Sequence, residues 1–350
     1  MRETMGNALA GALLILFLFQ IYSISAATNY MISWDDLNAG DYLSNYDRTT
    51  QFVVVAKDGS GHCRTVQGAV DSIAEGNRRR VKILIRAGIY REKVRIPATK
   101  PFVSFIGEGR GKTILSWNDS ASHRGADGRS LGTSGSASIT IESDYFCAKG
   151  ITFENRAPSA APGAKGMQAV ALRVAGDKAV FMECRMVGNQ DTLFDDSGRH
   201  FFWKCSIQGS IDFIFGNARS LYQNCLLRAN AASYGAIAAS QRSSANERTG
   251  FSFVSCRVKG SGIVYLGRAW GSYATIVYSL CNFDHIINPQ GWYDWGDASR
   301  RRTVMFGEYK CNGAGADRRG RVPWAISLSS KQVKPYLGRQ FIDGQDWLEL

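Results

Sequence analysis

The sequence predicts an all-β protein wound as a solenoid, a single domain with one coil per repeat. Two observations point there. Apolar or aromatic positions leading to a cysteine recur in segments 181–184, 202–205 and 221–225, and Cys184, Cys205 and Cys225 fall 21 and then 20 residues apart. Repeats of that length built from short β-rich runs stack as coils, because one unit cannot bury its apolar face alone. Composition agrees: with 37 Gly and only 7 Pro in 350 residues, the chain is turn-rich rather than disordered.

Taken in order, residues 1–26 have the pattern of a secretory signal. Arg2 lies in a short polar start, residues 8–22 are mostly apolar, and the small residues Ser25, Ala26 and Ala27 suit cleavage after Ala26 or Ala27. The apolar run is short for a membrane anchor, so a secreted protein is expected. Residues 27–51 form a polar and aromatic lead-in, and residues 52–350 the solenoid. A first strand opens at Phe52, Asp58-Gly59-Ser60-Gly61 makes a turn, and residues 66–74 have the spacing of a short amphipathic helix that caps the open end. Strands follow at 81–85, 102–106, 138–141 and 150–153, many of them separated by Gly and Asn/Asp clusters. The Gly/Ser-rich segment from Asn118 to Gly135 is a long loop within that one domain.

The net charge of +12 favours an anionic partner. Secretion argues against nucleic acid, no basic helix with interleaved aromatics is present, and Arg78-Arg79-Arg80 suits a solvated face; an acidic polysaccharide fits both charge and compartment. In an oxidising compartment some of the eight cysteines can pair, with Cys205 and Cys225 on adjacent coils the first candidate. The alternative is a ladder of free thiols inside the solenoid. No Cys-x-x-Cys pair and no His spacing supports a metal site. Asn118-Asp119-Ser120 is a glycosylation sequon, which places Asn118 on a surface loop.

Gly128-Arg129-Ser130-Leu131-Gly132 fits the pattern of a hydrolase elbow, but its polar, glycine-rich flanks supply neither the strand nor the helix that an elbow needs. Gly111-Lys112-Thr113 lacks the first glycine of a phosphate loop, because Ile106 stands there. Two aspartates survive the same test. Asp191, in Gln190-Asp191-Thr192-Leu193, and Asp212, in Asp212-Phe213-Ile214-Phe215-Gly216, lie 21 residues apart. Residues one repeat apart stack at roughly 4.7–4.9 Å along a solenoid, so the two carboxylates share one surface. An Asp in such a repeat can simply cap a turn. A close, partly desolvated pair, however, resists double ionisation, leaving one member as nucleophile and the other as acid. Amide side chains nearby would supply donors for an oxyanion.

These residues belong to a longer ordered set: Gly88-Ile89-Tyr90-Arg91-Glu92, Gln168-Ala169-Val170-Ala171-Leu172, the two Asp motifs, Leu266-Gly267-Arg268-Ala269-Trp270, Gly291-Trp292-Tyr293-Asp294-Trp295 and Phe341-Ile342-Asp343-Gly344-Gln345-Asp346-Trp347-Leu348. On them the chain resembles the pectin methylesterases (pectinesterases), particularly the plant ones. The resemblance implies a right-handed parallel β-helix and hydrolysis of methyl esters on galacturonate units of pectin, with methanol released and no metal or cofactor. It implies Asp212 as nucleophile and Asp191 as acid/base, with Gln190 and Gln168 stabilising the tetrahedral intermediate. Arg268 matches the arginine that holds the nucleophilic carboxylate, and Trp270 and Thr133 match sugar-contacting positions; for these two a packed rim aromatic and an ordinary loop threonine are the plainer alternatives. The expected partner is methyl-esterified homogalacturonan, with a proteinaceous inhibitor allowed, a monomer expected and no membrane partner.

The departures from the family are equally specific. Ala269 stands where proline is usual, which predicts a looser loop. Asn189 replaces a commonly aromatic residue, predicting one sugar-stacking contact fewer, and Ser240 appears where glutamine is frequent. Two other classes compete: a non-catalytic β-helix that binds acidic cell-wall polysaccharide, and a lyase or glycosidase on a similar solenoid. The first requires the intact Asp/Gln/Arg set to be a relic. The second usually relies on calcium or a basic catalytic residue, and no clustered Asp ligand motif is present.

Overall fold

In the computed structural model, which describes residues 31–39, 51–159 and 164–350, the strands pair in parallel throughout and wind into a β-helix. The expected signal segment lies outside the described residues, as does most of the expected lead-in. One ladder of eleven strands runs from Gln51–Val55 through Val81–Ile85, Ala179–Met182, Arg199–Trp203 and Arg219–Gln223 to Ile326–Ser327. Two further ladders fuse into a fourteen-stranded sheet because the strands Leu226–Ser240 and Arg257–Arg268 run unbroken from one to the other. Among the described residues no helix is long and apolar enough to cross a membrane.

Inward-facing rings make the core. Phe181, Phe202, Tyr222, Phe253 and Tyr278 occupy successive coils, with ring centroids 4.8, 4.6, 4.7 and 4.5 Å apart. Each stacked pair adds about 0.5–1.5 kcal/mol beyond the area it buries. The cysteine repeat that predicted the coils marks the corner after the eleven-stranded ladder. There Glu183, Lys204, Asn224, Ser255, Leu280 and Lys310 all take positive φ, and each is followed by an inward cysteine. The expected bridge between Cys205 and Cys225 is not formed: all eight cysteines are free thiols. Cys205 donates to the Phe181 carbonyl at 3.3 Å, Cys225 to Phe202 at 3.4 Å and Cys256 to Tyr222 at 3.4 Å. Equivalent positions on parallel coils send their Cβ vectors out side by side rather than toward each other, and a bridge needs them to converge. Burial pushes the Cys184 thiol up to about 12 and raises those of Cys225, Cys256 and Cys281 as well, which disfavours the reactive thiolate.

The first coil is capped as expected. A short helix, Val66–Asp71, caps the first coil; Thr65 accepts from the Gly68 N–H, and Glu92 accepts from the N–H groups of Val66 and Gln67, both at 2.9 Å. This gives the glutamate of the Gly88–Glu92 motif a structural duty. The C-terminal motif covers the outer face of the eleven-stranded ladder, where Phe341, Ile342, Trp347 and Leu348 pack on Val180, Met182, Phe201 and Leu221. Ile32 of the lead-in pairs with Leu348. The fused sheet is therefore the face left for function.

Candidate active site

Asp191 and Asp212 occupy equivalent places on adjacent coils, each two residues before a strand whose first residues, Leu193 and Ile214, are paired. Both take positive φ, +62° and +45°. Aspartate tolerates this left-handed conformation better than most residues. Asp191 donates its N–H to the Ile211 carbonyl at 3.1 Å, which locks the two turns together. Phe213 and Ile214 point inward and are fully buried, so the strand after Asp212 is fixed by the core.

The turns open into a cleft of about 610 Å³ on the fused sheet. All seven residues picked from the sequence as catalytic or substrate-binding line it: Thr133, Gln168, Gln190, Asp191, Asp212, Arg268 and Trp270. Thr133 arrives on a one-turn helix, Gly132–Gly135, at the end of the long loop. Asn118, at the start of that loop, is exposed.

The charges are arranged asymmetrically. Arg268 ends the strand Arg257–Arg268 and grips Asp212 with a fork: Nε donates to Oδ1 at 2.7 Å and Nη2 to Oδ2. Asp212 is buried. Burial alone would lower the pKa of Arg268, but its hydrogen bonds and charge pairing with Asp212 outweigh it and raise the value. Trp295 closes the guanidinium's flat face, with Cζ 4.3 Å from the ring centre. Asp191 differs. Burial first, and the Asp212 carboxylate second, push its pKa well above the ordinary value, with Arg268 opposing. One carboxylate is held in a charged grip; its neighbour favours the protonated form.

Sequence reasoning gave no role to three aromatic side chains in the cleft. Phe194 and Phe215 stack at 4.4 Å with 12° between their planes, and Trp270 leans on Phe215. They form an apolar floor beside the carboxylates. Each lies three residues after an aspartate, so the repeated offset was a usable signal. Trp295, the third, ends the Gly291–Trp295 motif, which was picked out without a role for this ring; the pairing of Arg268 with Tyr293 on the next coil brings it over the guanidinium.

The loop at Ala269 is tied down, contrary to the expectation of looseness. The Ala269 N–H donates to the Tyr293 carbonyl at 2.9 Å, a bond that proline cannot make. Arg300 donates to the carbonyls of both Ala269 and Trp270, and Asp297 holds Arg300 at 3.1 Å. Gly271 then passes so close to the Gln241 and Arg242 carbonyls that a Cβ would sit 2.3 and 2.0 Å from them. Asn189 presents no ring to the cleft; its amide donates to the Ala157 carbonyl at 3.1 Å and accepts from Asn230 at 3.2 Å. Ser240 is buried, and its hydroxyl oxygen accepts the Thr275 N–H at 3.3 Å.

With this geometry in hand, the comparisons decide the family. The Pectinesterase family model matches residues 52–345. The chain belongs to the pectinesterases. Pectinesterase QRT1 of Arabidopsis thaliana is 54% identical over 331 residues, which span 94% of this chain and 86% of that protein. Probable pectinesterase 8 of the same plant is 44% identical, over 86% of this chain and 77% of its own. The structure of pectin methylesterase from carrot superposes with a TM-score of 0.78 at 36% identity, covering 84% of this chain and 94% of that one. A pectin methylesterase in complex with a hexasaccharide matches with a TM-score of 0.73 at 27% identity, covering 83% of this chain and 96% of that one. The enzyme is thus a pectinesterase on a parallel β-helix, and its substrate class follows from the family.

Proposed function

We propose that this pectinesterase removes methyl esters from galacturonate units by an aspartyl route, with Asp212 as nucleophile and Asp191 as acid and then base. The observation that carries the reading is the asymmetry of the pair: a buried Asp212 gripped by Arg268 beside an Asp191 whose pKa is raised. An Asp212 oxygen attacks the ester carbonyl carbon, and the carbonyl oxygen becomes an oxyanion between the amides of Gln190 and Gln168. Collapse breaks the bond to methoxide, which takes the Asp191 proton and leaves as methanol. A water molecule then gives a proton to the Asp191 carboxylate and its oxygen to the acyl carbon, freeing galacturonate and restoring Asp212. The Phe194–Phe215–Trp270 floor offers an apolar surface for the methylated sugar.

Residues 1–26 act in this reading as a removed secretory signal, and the enzyme works in the cell wall as a monomer, with a glycan on Asn118 and a site open to a proteinaceous inhibitor. The deciding experiment is methanol release from highly methylated pectin by the mature chain and by Asp212→Ala. Release by the first alone supports the assignment. Equal release by both, with unchanged circular dichroism, rules out Asp212 as nucleophile. A folded chain that binds pectin and releases nothing is the non-catalytic binder.

A further inference from the structure

The loop that follows Arg268 is held by one side chain from the next coil. Arg300 reaches it with a single nitrogen: Nη1 donates to the Ala269 carbonyl at 2.5 Å and to the Trp270 carbonyl at 2.6 Å. Among the described residues no other donor meets either carbonyl. Ala269 is fully buried and the Arg300 side chain only 21% exposed, so water is a poor substitute there. Arg300 is itself built in. It sits on a short 3-10 helix, Ala298–Arg302, capped by Asp297, whose Oδ1 accepts the Ser299 N–H and whose Oδ2 accepts from Arg300 Nε at 3.1 Å. Asp294 braces the turn before that helix, taking the Gly296 N–H at 3.0 Å and Arg301 Nε at 2.7 Å. After it, the Thr303 hydroxyl donates to the Ser272 carbonyl. The same segment carries Trp295, whose ring covers the Arg268 guanidinium. Arg300 does not line the cleft; Trp270 does.

We propose that Arg300 is a positioning residue of the esterase site: it fixes the two peptide groups that flank Trp270 and so holds that ring beside Phe215, where a methyl-esterified galacturonate unit packs. The need for it is local. The Trp270 N–H turns back onto the Arg268 carbonyl at 3.1 Å, and Gly271 on the far side leaves the backbone free. Ala269 lacks the ring with which proline would stiffen the turn. No hydrogen bond anchors the Trp270 indole among the described residues, so its placement depends on the backbone and on its contact with Phe215, 6.1 Å between ring centres. Arg268 keeps its own anchors without Arg300, because its strand pairs with Trp292–Tyr293 and its fork lies on Asp212. Loss of Arg300 therefore weakens substrate binding more than the chemical step. The proposal rests on the reading of the Phe194–Phe215–Trp270 floor as a surface for methylated sugar.

The test is a double-mutant cycle on the full mature chain, with kcat and KM measured on highly methylated pectin. Arg300→Met keeps an unbranched stem and removes the donors. It is expected to raise KM about tenfold, the scale of one hydrogen bond to a charged group, with kcat changed less. Arg300→Lys keeps the charge beside Asp297 and one nitrogen to serve both carbonyls, so it should recover most of that loss. Trp270→Ala is expected to raise KM as well, and Arg300→Met to add little in that background, because its effect passes through the ring. Wild-type KM for Arg300→Met, a fall in kcat at unchanged KM, or losses that simply multiply would overturn the proposal while leaving the Asp212 mechanism intact. Wild-type KM for Trp270→Ala would overturn the reading of the floor, and this proposal with it. Should circular dichroism show that Arg300→Met has not folded, Asp297→Ala takes its place, since it loosens the guanidinium without removing it. A smaller rise in KM is then expected, and no rise overturns the proposal.

Discussion

Arg268 and Asp212 lie 56 residues apart in sequence and meet as a two-point charged fork, with Nε on Oδ1 at 2.7 Å and Nη2 on Oδ2. Both side chains are largely shielded from water, so the pair is poorly screened and its geometry is restrictive. Arg268→Ala leaves a buried Asp212 carboxylate without the two donors that fix its oxygens. Methanol release by Arg268→Ala is expected to fall at least about 100-fold. Arg268→Lys should fall less, since it keeps the charge and loses the fork. Full activity in the alanine variant removes the arginine from the mechanism.

How much of this was legible in sequence depends on the range of the contacts. The coil period could be read because equivalent corners repeat, so Cys184, Cys205 and Cys225 report their spacing directly. The same period placed Asp191 over Asp212. The state of the cysteines was not legible: spacing sets which coils are adjacent, whereas the direction of each Cβ is set by the positive-φ residue before it. Nor was the grip on Ala269, because Arg300 reaches it from 31 residues away and no repeat relates them. The irregularity between Asn230 and Tyr234 was hidden for a third reason: a bulge breaks the period that made the coils readable.

Asp191 should be a site where function opposes stability. Burial, then the charge of Asp212, raises its folded pKa above the unfolded value. The sign is therefore unfavourable at neutral pH: the folded state has to give up a proton it prefers to hold, and the cost disappears once the pH falls below the unfolded pKa. Asp191→Asn mimics the protonated form. Its melting temperature should exceed the wild type's by about 2 °C or more at neutral pH, with the advantage shrinking on acidification, while methanol release collapses. An equal or lower melting temperature at neutral pH contradicts the raised pKa.

The thiol ladder gives a count. With all eight cysteines free, denatured protein purified without reductant should titrate eight thiols; six would reveal one bridge. In the native state the fully buried members should react far more slowly than Cys63 and Cys311, which are only partly covered.

The last relationship lies inside the solenoid, at the strand Leu193–Asp195 that follows Asp191. His200 and Asp195 are completely buried, and Nδ1 of His200 meets Oδ1 of Asp195 at 2.5 Å. Nε2 meets the Gly176 carbonyl at 2.8 Å, and the Tyr222 hydroxyl donates to Oδ2 of Asp195 at 2.6 Å. Both ring nitrogens face oxygens, an arrangement that two N–H donors satisfy. Burial alone would lower the pKa of His200. The charge of Asp195, its hydrogen bond, the Gly176 carbonyl and the more distant Asp177 outweigh that and raise it. The stabilisation is therefore complete below the unfolded histidine pKa and is lost as pH rises through the folded one. His200→Gln removes the cation and leaves Asp195 buried with only Tyr222, a loss of about 3–5 kcal/mol for a broken buried pair. Chemical denaturation at about pH 5 and about pH 9 should show the larger deficit at the acidic value. A deficit that does not change with pH means that His200 is buried neutral and that the pair is an uncharged hydrogen bond.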